Sequence, residues 1–298
     1  MEQHYIPIKE IQTPHRTINV YDIGNQNIDQ QTVDSFGSEW TDFNAFNDTE
    51  INLLSQEYFD IITDKMVNTN TVMADFGCGS GRFTKFWQGK AKRIVGIDPS
   101  DAVFAADKLI GKDDGIDIIR ASISAIPFPD EYFDFGMSIG VLHHIPDTQQ
   151  AMTDCVKKIK KGGYFYTYLY YSLDNRGFIF KLIWKLSNLL RYLVSALPQK
   201  IKAIVCDILA FLIYVPLVNL ARLLKIIGLP KSIWSKIPLS AYENKSLFIM
   251  RNDALDRFGT PLEQRFSKQE IEIMMKKAGL STVIFSENMP YWHAVGQK

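Results

Sequence analysis

Short apolar runs alternate with amphipathic stretches along the middle of the chain. The runs lie at 71–76, 93–97, 116–120, 133–139 and 164–171. They are rich in apolar, β-branched and aromatic residues, which is typical of buried strands. The segments between them, such as 101–109 and the helix that Asp147 opens, show helical spacing or capping residues. Strands that alternate with helices predict a parallel sheet covered on both faces, the doubly wound α/β fold.

The two ends of the chain are less regular. The first 45 residues are rich in Asn, Gln and Asp, which favours loops with short elements, and a helix is predicted at 49–66. Near the other end, Ser267 and Glu270 form a capping-box pattern that begins a further helix. Two closing strands are predicted at 283–285 and 291–295.

Between residues 177 and 230 the pattern changes to long apolar helices with few charges. Within 178–197, polar residues recur at steps of three and four on one narrow stripe, opposite a broad apolar face. The stripe holds Lys181, Lys185, Asn188, Arg191 and Ser195. The apolar face holds Ile179, Leu182, Ile183, Leu186, Leu190 and Leu193. A second helix is predicted at 204–227, broken or kinked at Pro216.

Positive charge is concentrated in the same segment. Residues 176–236 contain ten Lys or Arg and one acidic residue, so they carry +9, and the neutral total leaves −9 for the rest of the chain. The uncharged stretch 208–221 is shorter than the roughly 20 residues needed to cross a bilayer. A basic amphipathic helix pair therefore predicts peripheral membrane contact through residues 178–228. A lid over the core or a homodimer interface is the alternative, because broad apolar faces serve these purposes equally well.

Composition sets further limits on function. The 298 residues suit one large α/β domain with an added subdomain. The net charge of +0 gives no reason to expect a nucleic-acid partner. Cys78, Cys155 and Cys206 are scattered without a CxxC pair, which argues against a disulfide framework or zinc site and favours a reducing, cytoplasmic location. The first residues mix charge and polarity, unlike a signal peptide.

A glycine-rich loop follows the first strand of the alternating region. It reads Asp75-Phe-Gly77-Cys78-Gly79-Ser-Gly81. Glycines let the backbone turn tightly and approach a ligand closely. The nicotinamide fingerprint GxGxxG would need glycine where Arg82 stands. The Asp75 carboxylate would repel a pyrophosphate but could hold a cationic amino-acid group. A glycine-rich turn without a ligand is the alternative interpretation.

A second acid follows the glycine loop after about twenty residues, the spacing of a ribose-binding acid. Asp98 ends the second predicted strand of this region and precedes Pro99 and Ser100. An acid at this position can accept hydrogen bonds from both hydroxyls of a ribose. The alternative is a surface aspartate that caps the next helix, since Asp-Pro-Ser suits helix capping. Together with the glycine loop, Asp98 favours a nucleoside-containing cofactor.

A third group of motifs completes the pattern. It comprises Ile126-Pro-Phe-Pro-Asp130, Phe133-Asp134, Gly140-Val-Leu-His143-His144-Ile-Pro-Asp147 and Lys158-Ile-Lys-Lys-Gly-Gly163. With the glycine loop and Asp98, these motifs resemble, over residues 72–171, the class I S-adenosylmethionine (SAM)-dependent methyltransferases. The similarity is to the type 11 branch, which includes ubiquinone and menaquinone methylases. It implies a Rossmann-like, seven-stranded sheet whose last strand is antiparallel, with SAM bound across the carboxyl ends of the first four strands.

The resemblance also implies cofactor-binding roles and domain boundaries. Asp75, Gly77, Cys78, Gly79 and Gly81 would surround the methionine part of SAM, and Asp98 would hold the ribose. Ser122 and Ile123 would line the adenine, although the family often has Asp at the Ser122 position, and Ser138 and Ile139 would flank the sulfonium. The implied domains are an N-terminal cap at 1–69, a SAM-binding core at 70–172, an amphipathic helical insertion at 173–245 and a C-terminal part of the core at 246–298.

The expected reaction is SN2 transfer of a methyl group to an O, C or N nucleophile of a small or lipid-linked acceptor. His143 and His144 are candidate general bases, since imidazole titrates near neutral pH. The alternative is that they orient their loop through backbone hydrogen bonds. No His, Asp or Glu cluster has metal-ligand spacing, so no metal is expected. A non-catalytic SAM-binding or membrane-adaptor protein and a nicotinamide oxidoreductase are the competing functions.

Overall fold

The structure is a computed structural model that describes residues 6–21, 26–42, 46–174 and 177–298. These residues form two compact units. The sheet unit comprises Met1–Asn175 and Leu262–Lys298, and the helical unit comprises Arg176–Pro261. The helical unit ends at Pro261 rather than at residue 245, where the sequence places its end. The reason is that helix Leu247–Gly259 packs against two earlier helices of the same unit.

Among the described residues, nine strands form one sheet in the sheet unit. They are β1 (Lys9–Gln12), β2 (Thr17–Val20), β3 (Val72–Phe76), β4 (Arg93–Asp98), β5 (Ile116–Arg120), β6 (Phe133–Ile139), β7 (Ile159–Tyr168), β8 (Thr282–Phe285) and β9 (His293–Gln297). Their spatial order is β1-β2-β5-β4-β3-β6-β7-β9-β8. Neighbours from β2 to β7 pair in parallel, and β9 is antiparallel to β7 and β8. The strand order reverses between β3 and β6, where such sheets open a ligand-binding crevice.

The doubly wound α/β sheet with an antiparallel strand among its last members is confirmed, but the expected count of seven strands is two short. The sequence predicts loops with short elements for the first 45 residues but does not place them in the sheet, whereas β1 and β2 form an antiparallel hairpin that extends the sheet beside β5. Ile18 is the one fully buried side chain in these two described strands. Four-residue strands with a single buried position carry too little periodicity to be recognised from sequence.

Helices cover both faces of the sheet, and separate apolar clusters lie beneath them. In the sheet unit these helices are α1 (Gln30–Asp42), α2 (Asp48–Tyr58), α3 (Arg82–Phe86), α4 (Ala102–Ile110), α5 (Thr148–Lys157) and α11 (Lys268–Lys277). The helical unit contains α6 (Phe178–Ser195), α7 (Gln199–Leu209), α8 (Val215–Ile226), α9 (Lys231–Trp234) and α10 (Leu247–Gly259). Met73 and Ala74 of β3 belong to different clusters, because successive side chains of a strand point to opposite faces. Burial of both faces explains why the core strands read as continuous apolar runs.

In the helical unit, α7 and α8 form one helical run of 28 residues, Gln199–Ile226. A π-helical turn at Ala210–Tyr214 joins them. The predicted break at Pro216 does not occur, because Pro216 lies in the first turn of α8 directly after the π-helical turn. The run also starts at Gln199, earlier than the expected residue 204. By length and composition alone, this run is apolar enough to cross a membrane.

Candidate functional site

The crevice between β3, β4 and β6 contains the glycine loop at its carboxyl edge. The N–H of Gly77 donates to the carbonyl oxygen of Ile97, at 2.7 Å. Gly77, Gly79 and Gly81 have φ values of 83°, 52° and 78°, which residues with a Cβ rarely adopt. A Cβ on Gly77 would lie 2.5 Å from methyl carbons of Val141. The loop therefore needs these glycines, and it packs directly against the segment that follows β6.

Asp98 fixes the glycine loop from the end of β4. Its Oδ2 accepts a hydrogen bond from the Gly79 N–H at 3.0 Å. Its Oδ1 accepts from the Ser100 N–H at 2.9 Å and from the Ser100 hydroxyl at 2.6 Å. Asp98 is 9% exposed, and Asp101 is the N-cap residue of α4, so the geometry does not fit an exposed helix cap. Since each carboxylate oxygen has two lone pairs and Oδ2 accepts a single bond, Oδ2 retains acceptor capacity for one ribose hydroxyl.

Asp75 is a second buried acid beside the loop, with 2% of its surface exposed. Its Oδ2 accepts a hydrogen bond from the Thr84 hydroxyl of α3 at 2.6 Å. Burial raises the pKa of Asp75 to about 7; the bond from Thr84 and the charge of Arg82 oppose this rise, and the nearby Asp98 adds to it. Two neighbouring buried acids, one of which raises the pKa of the other, favour a positively charged ligand.

The other residues expected at the cofactor lie around the same carboxyl edge. Ser122 and Ile123 are buried where β5 ends in a short 3-10 turn, and Ile139 is the last residue of β6. Ser138 is fully buried, and its hydroxyl donates to the Phe76 carbonyl oxygen at 2.9 Å. The Ser138 side chain therefore links β6 to β3. Its hydroxyl donates within the sheet and not to a ligand.

Cys78 has a similar position in the loop. Its side chain is buried in the apolar cluster that contains Met73, and its sulfur lies 3.1 Å from where a Cβ on Gly96 would stand. Burial raises the pKa of the Cys78 thiol well above its ordinary value, so the thiol is neutral and inert. Cys78 therefore has only its backbone to offer a ligand in the crevice.

His143 and His144 lie in a 3-10 turn after β6, and both are buried. Nδ1 of His144 is 2.6 Å from the carbonyl oxygen of Leu262. A carbonyl only accepts, so this nitrogen carries the proton and Nε2 holds the basic lone pair. Nδ1 of His143 instead accepts from the Tyr170 N–H at 3.4 Å. Burial, with the neighbouring His144 and Arg265, lowers the pKa of His143 well below 6.5. His144 thus has the tautomer of a base, whereas His143 is neutral with its proton on Nε2.

Helix α1 contacts the same edge of the sheet, in a region where the sequence predicts loops with only short elements. The Phe36 ring is 4.8 Å from the His144 ring, in an edge-on arrangement. A Cβ on Gly37 would lie 3.3 Å from the Ser100 Cβ, and the Thr32 hydroxyl accepts from the Leu262 N–H at 3.3 Å. The helix therefore links the Asp98 side of the crevice to the histidine turn. A glycine inside a helix, which often marks close packing, is the sequence signal for this contact.

Three tyrosines, here called the aromatic row, continue this edge of the sheet: Tyr58, Tyr168 and Tyr170. The rings of Tyr58 and Tyr168 are 5.2 Å apart edge to face, and those of Tyr168 and Tyr170 are 5.9 Å apart. Tyr170 stacks on His143 at 3.9 Å. All three tyrosines are partly exposed. The sequence shows the signal for two of them, because Tyr164, Tyr166, Tyr168 and Tyr170 alternate along β7 and its extension.

Comparison with known proteins identifies the chemistry of this crevice. Residues 74–167, which contain the glycine loop, Asp98 and the histidine turn, match the family described as a methyltransferase domain. This segment is thus a methyltransferase domain, similar to the SAM-dependent enzymes of class I in the type 11 branch. Its cofactor is SAM, and its enzyme class is methyl transfer. The match to a methyltransferase domain excludes a nicotinamide oxidoreductase, one of the competing functions.

Curated relatives of the methyltransferase include ubiquinone biosynthesis O-methyltransferases. The protein from Marinobacter nauticus is 26% identical over 192 residues, covering 59% of this chain and 75% of that one. The protein from Nitrosomonas europaea is 27% identical over 131 residues, covering 43% of this chain and 53% of that one. The chain thus spans about half the length of the second relative. A solved SAM-dependent methyltransferase from Thermotoga maritima is 15% identical, with 88% of this chain and 94% of that chain covered and a TM-score of 0.45.

The raised pKa of Asp75 predicts that SAM binds more weakly in acid. The cationic groups of SAM favour the ionised form of Asp75, so binding must lower a pKa that is about 7 in the free protein. Between pH 7.5 and 6.0 the affinity is expected to fall by about eightfold, as protons compete with the ligand. Calorimetric titrations at several pH values measure this change. Asp75→Asn keeps an acceptor for the Thr84 hydroxyl and should abolish the pH dependence; an unchanged slope would contradict the role of Asp75.

Proposed function

We propose that the methyltransferase transfers the methyl group of SAM to a hydroxyl oxygen on a small aromatic acceptor, with His144 as general base. The observation that carries the proposal is the placement of the aromatic row and His144 along one sheet edge beside the glycine loop. Aromatic side chains with partly exposed rings bind planar apolar rings by stacked and edge-on contacts. The name of the curated relatives, O-methyltransferases, supports oxygen as the acceptor atom.

The cofactor is held by the residues of the glycine loop and its neighbours. In this proposal Asp75, Gly77, Cys78, Gly79 and Gly81 surround the methionine part, with Cys78 and the glycines acting through their backbone. Asp98 accepts from the ribose, Ser122 and Ile123 line the adenine, and Ile139 flanks the sulfonium, with Ser138 behind it. The fit rests on the buried acids Asp75 and Asp98, which suit a cationic ligand that also contains a ribose.

The chain contributes binding, orientation and proton removal. Bound SAM supplies a methyl group that is electrophilic because it is attached to a sulfonium. The aromatic row orients the acceptor ring, and holding the hydroxyl in line with the methyl group supplies most of the acceleration. Nε2 of His144 takes the hydroxyl proton, while the Leu262 carbonyl accepts from Nδ1 and fixes the ring. The neutral His143 stacks on Tyr170 and supports the row.

The proposal extends to partners and location. The acceptor is a small molecule, free or linked to a lipid, and nucleic acid is not a partner, since the chain has no net charge. The enzyme works in the cytoplasm and peripherally at the inner face of the membrane, where the cationic segment 176–236 contacts lipid. A homodimer through the apolar helices is the competing use of that segment.

The test is product analysis with a panel of acceptors. Phenols and catechols, aliphatic alcohols, primary amines and activated carbon acids of similar size are incubated with the protein and SAM. We expect S-adenosylhomocysteine to form with aromatic hydroxyls, together with a product heavier by one CH2 unit that contains a methoxy group. Methylation confined to amines or carbon acids would overturn the choice of oxygen. If none of the acceptors in the panel leads to release of S-adenosylhomocysteine, the result would favour the non-catalytic alternative.

A further inference from the structure

The helical unit displays apolar side chains on its outside. Among the described residues, eighteen exposed large apolar side chains lie in the helical unit and six in the larger sheet unit. On α6, Leu186, Leu189 and Leu193 are 62%, 61% and 65% exposed. Along the run of α7 and α8, Ile204 and Leu212 are 61% and 69% exposed. Soluble proteins scatter such residues singly, and a contiguous set marks an interaction surface.

The same unit turns polar side chains inward. Arg191 is 2% exposed; its Nη1 donates to the carbonyl oxygens of Thr260 at 2.9 Å and Pro261 at 2.7 Å, and its Nε donates to Asn188 Oδ1. The predicted polar stripe of α6 is therefore corrected at Arg191. This side chain lies inside the unit, because it donates to the carbonyl oxygens that follow the end of α10. Of the predicted apolar face, which a lid would bury, Leu182, Ile183, Leu186 and Leu193 are exposed. Charges inside and leucines outside are the arrangement of a protein in contact with lipid.

The run of α7 and α8 has two distinct sides. Its buried side is a stripe of small and polar residues at steps of about one turn: Lys202, Cys206, Ala210, Tyr214, Val218 and Ala221. The Tyr214 hydroxyl donates to Asp253 Oδ2 of α10 at 2.8 Å. Arg251 of α10 makes a bidentate ion pair with Asp207. A charged helix thus covers one side of the run, so its opposite, apolar side is the one suited to lipid, and the run is suited to lying on a bilayer rather than crossing it.

Exposed lysines accompany the apolar surface. They are Lys181, Lys185, Lys200, Lys231 and Lys236. Lys181 and Lys185 lie one turn apart on α6, at the rim of the exposed leucines. Lysines at such a rim extend their ammonium groups to lipid phosphates while their carbon chains remain in the apolar layer. The charge of this surface therefore complements an anionic leaflet and opposes the close approach of a second, equally cationic copy.

We propose that the helical unit is a membrane-docking element that lies on an anionic phospholipid bilayer, with the exposed side chains of α6, α7 and α8 in its apolar layer. This proposal deepens the membrane contact in the proposed function by naming its surface, and it also explains how an acceptor of low water solubility would reach the enzyme. Binding to lipid requires no particular acceptor, so the docking and the proposed chemistry fail separately.

Sedimentation of the full chain with vesicles tests the docking. We expect the protein to pellet with phosphatidylglycerol-containing vesicles at low salt, less at high salt, and poorly with pure phosphatidylcholine. Leu189→Gln/Leu193→Gln should weaken vesicle binding at least tenfold, and Lys181→Gln/Lys185→Gln should remove most of the salt dependence. The matched control is Leu53→Gln/Ile273→Gln, which changes two exposed apolar residues of the sheet unit, 59% and 44% exposed, and should bind vesicles like the parent.

Three results would overturn the proposal. The folded parent could stay in the supernatant with anionic vesicles at low salt. The control could lose binding as much as the Leu189/Leu193 variant does. Light scattering could show a dimer that the Leu189/Leu193 variant dissociates, with no vesicle binding, which would assign the surface to a second copy. Turnover of a soluble phenol by each variant is measured in parallel: turnover without vesicle binding refutes the docking alone, and vesicle binding without turnover refutes the chemistry alone.

Discussion

Replacing His144 by asparagine is expected to lower kcat about a hundredfold, the usual effect of losing a general base. Asparagine keeps an N–H that can donate to the Leu262 carbonyl, as Nδ1 does now, but it has no basic nitrogen. The change therefore removes proton transfer and leaves the local hydrogen bond in place. Steady-state rates with a phenolic acceptor measure the loss.

The neighbouring histidine provides the comparison. His143 accepts from the Tyr170 N–H through Nδ1, and burial keeps its pKa well below 6.5, so it has no basic nitrogen directed at an acceptor. His143→Gln is expected to keep its rate within about tenfold, a smaller loss than that of a general base. Near-parent turnover of His144→Asn, with an unchanged melting temperature, would show that the histidine turn only orients its loop.

Asp98→Ala is expected to weaken SAM binding about tenfold to a hundredfold. Hydrogen bonds to a charged carboxylate contribute about 1.5–3 kcal/mol, and each 1.4 kcal/mol is about a factor of ten in affinity. The change also frees the Gly79 and Ser100 N–H groups that Asp98 now binds, so the glycine loop loses its anchor. Calorimetric titration with SAM measures the affinity, and a parallel titration with NADH should give no binding by either protein.

Two further variants locate the cause of that loss. Asp98→Asn keeps an acceptor for the Gly79 N–H but lacks the charge, so it should bind SAM with intermediate affinity. Asp101→Ala removes an acid three residues away that is 62% exposed, and it should bind SAM like the parent. If Asp98→Ala binds as tightly as the parent protein, Asp98 does not hold the ribose and serves the loop alone.

The sequence could predict that the glycine loop, Asp75 and Asp98 gather at one edge of the sheet. Asp75 lies near the end of β3, the glycine loop follows β3, and Asp98 ends β4, while parallel strands end at one edge. What the sequence could not reveal is how each side chain is used. Ser138 and Cys78 lie where expected, but the Ser138 hydroxyl binds the Phe76 carbonyl and the Cys78 side chain packs in the core. Such choices depend on which neighbours the fold brings within contact distance.

The acceptor side depends more heavily on distant parts of the chain. The Leu262 carbonyl that fixes the His144 tautomer is 118 residues away in sequence. Phe36 reaches the same edge from α1, a helix that the sequence did not predict, and Tyr58 reaches it from α2. A motif of adjacent histidines therefore identifies candidates but does not distinguish His144 from His143, because the distinction is made by hydrogen bonds across more than a hundred residues.

The sequence by itself determined the alternating strands and helices, the crevice with its glycines and acids, and the cationic, apolar character of residues 176–236. These features follow from local periodicity and local spacing, which each segment carries independently of its neighbours. Only the tertiary structure decided that β1 and β2 extend the sheet, that α10 belongs to the helical unit, and that Arg191 lies inside while Leu189 and Leu193 lie outside. An amphipathic pattern gives a helix two faces, but packing partners distant in sequence decide which face is buried.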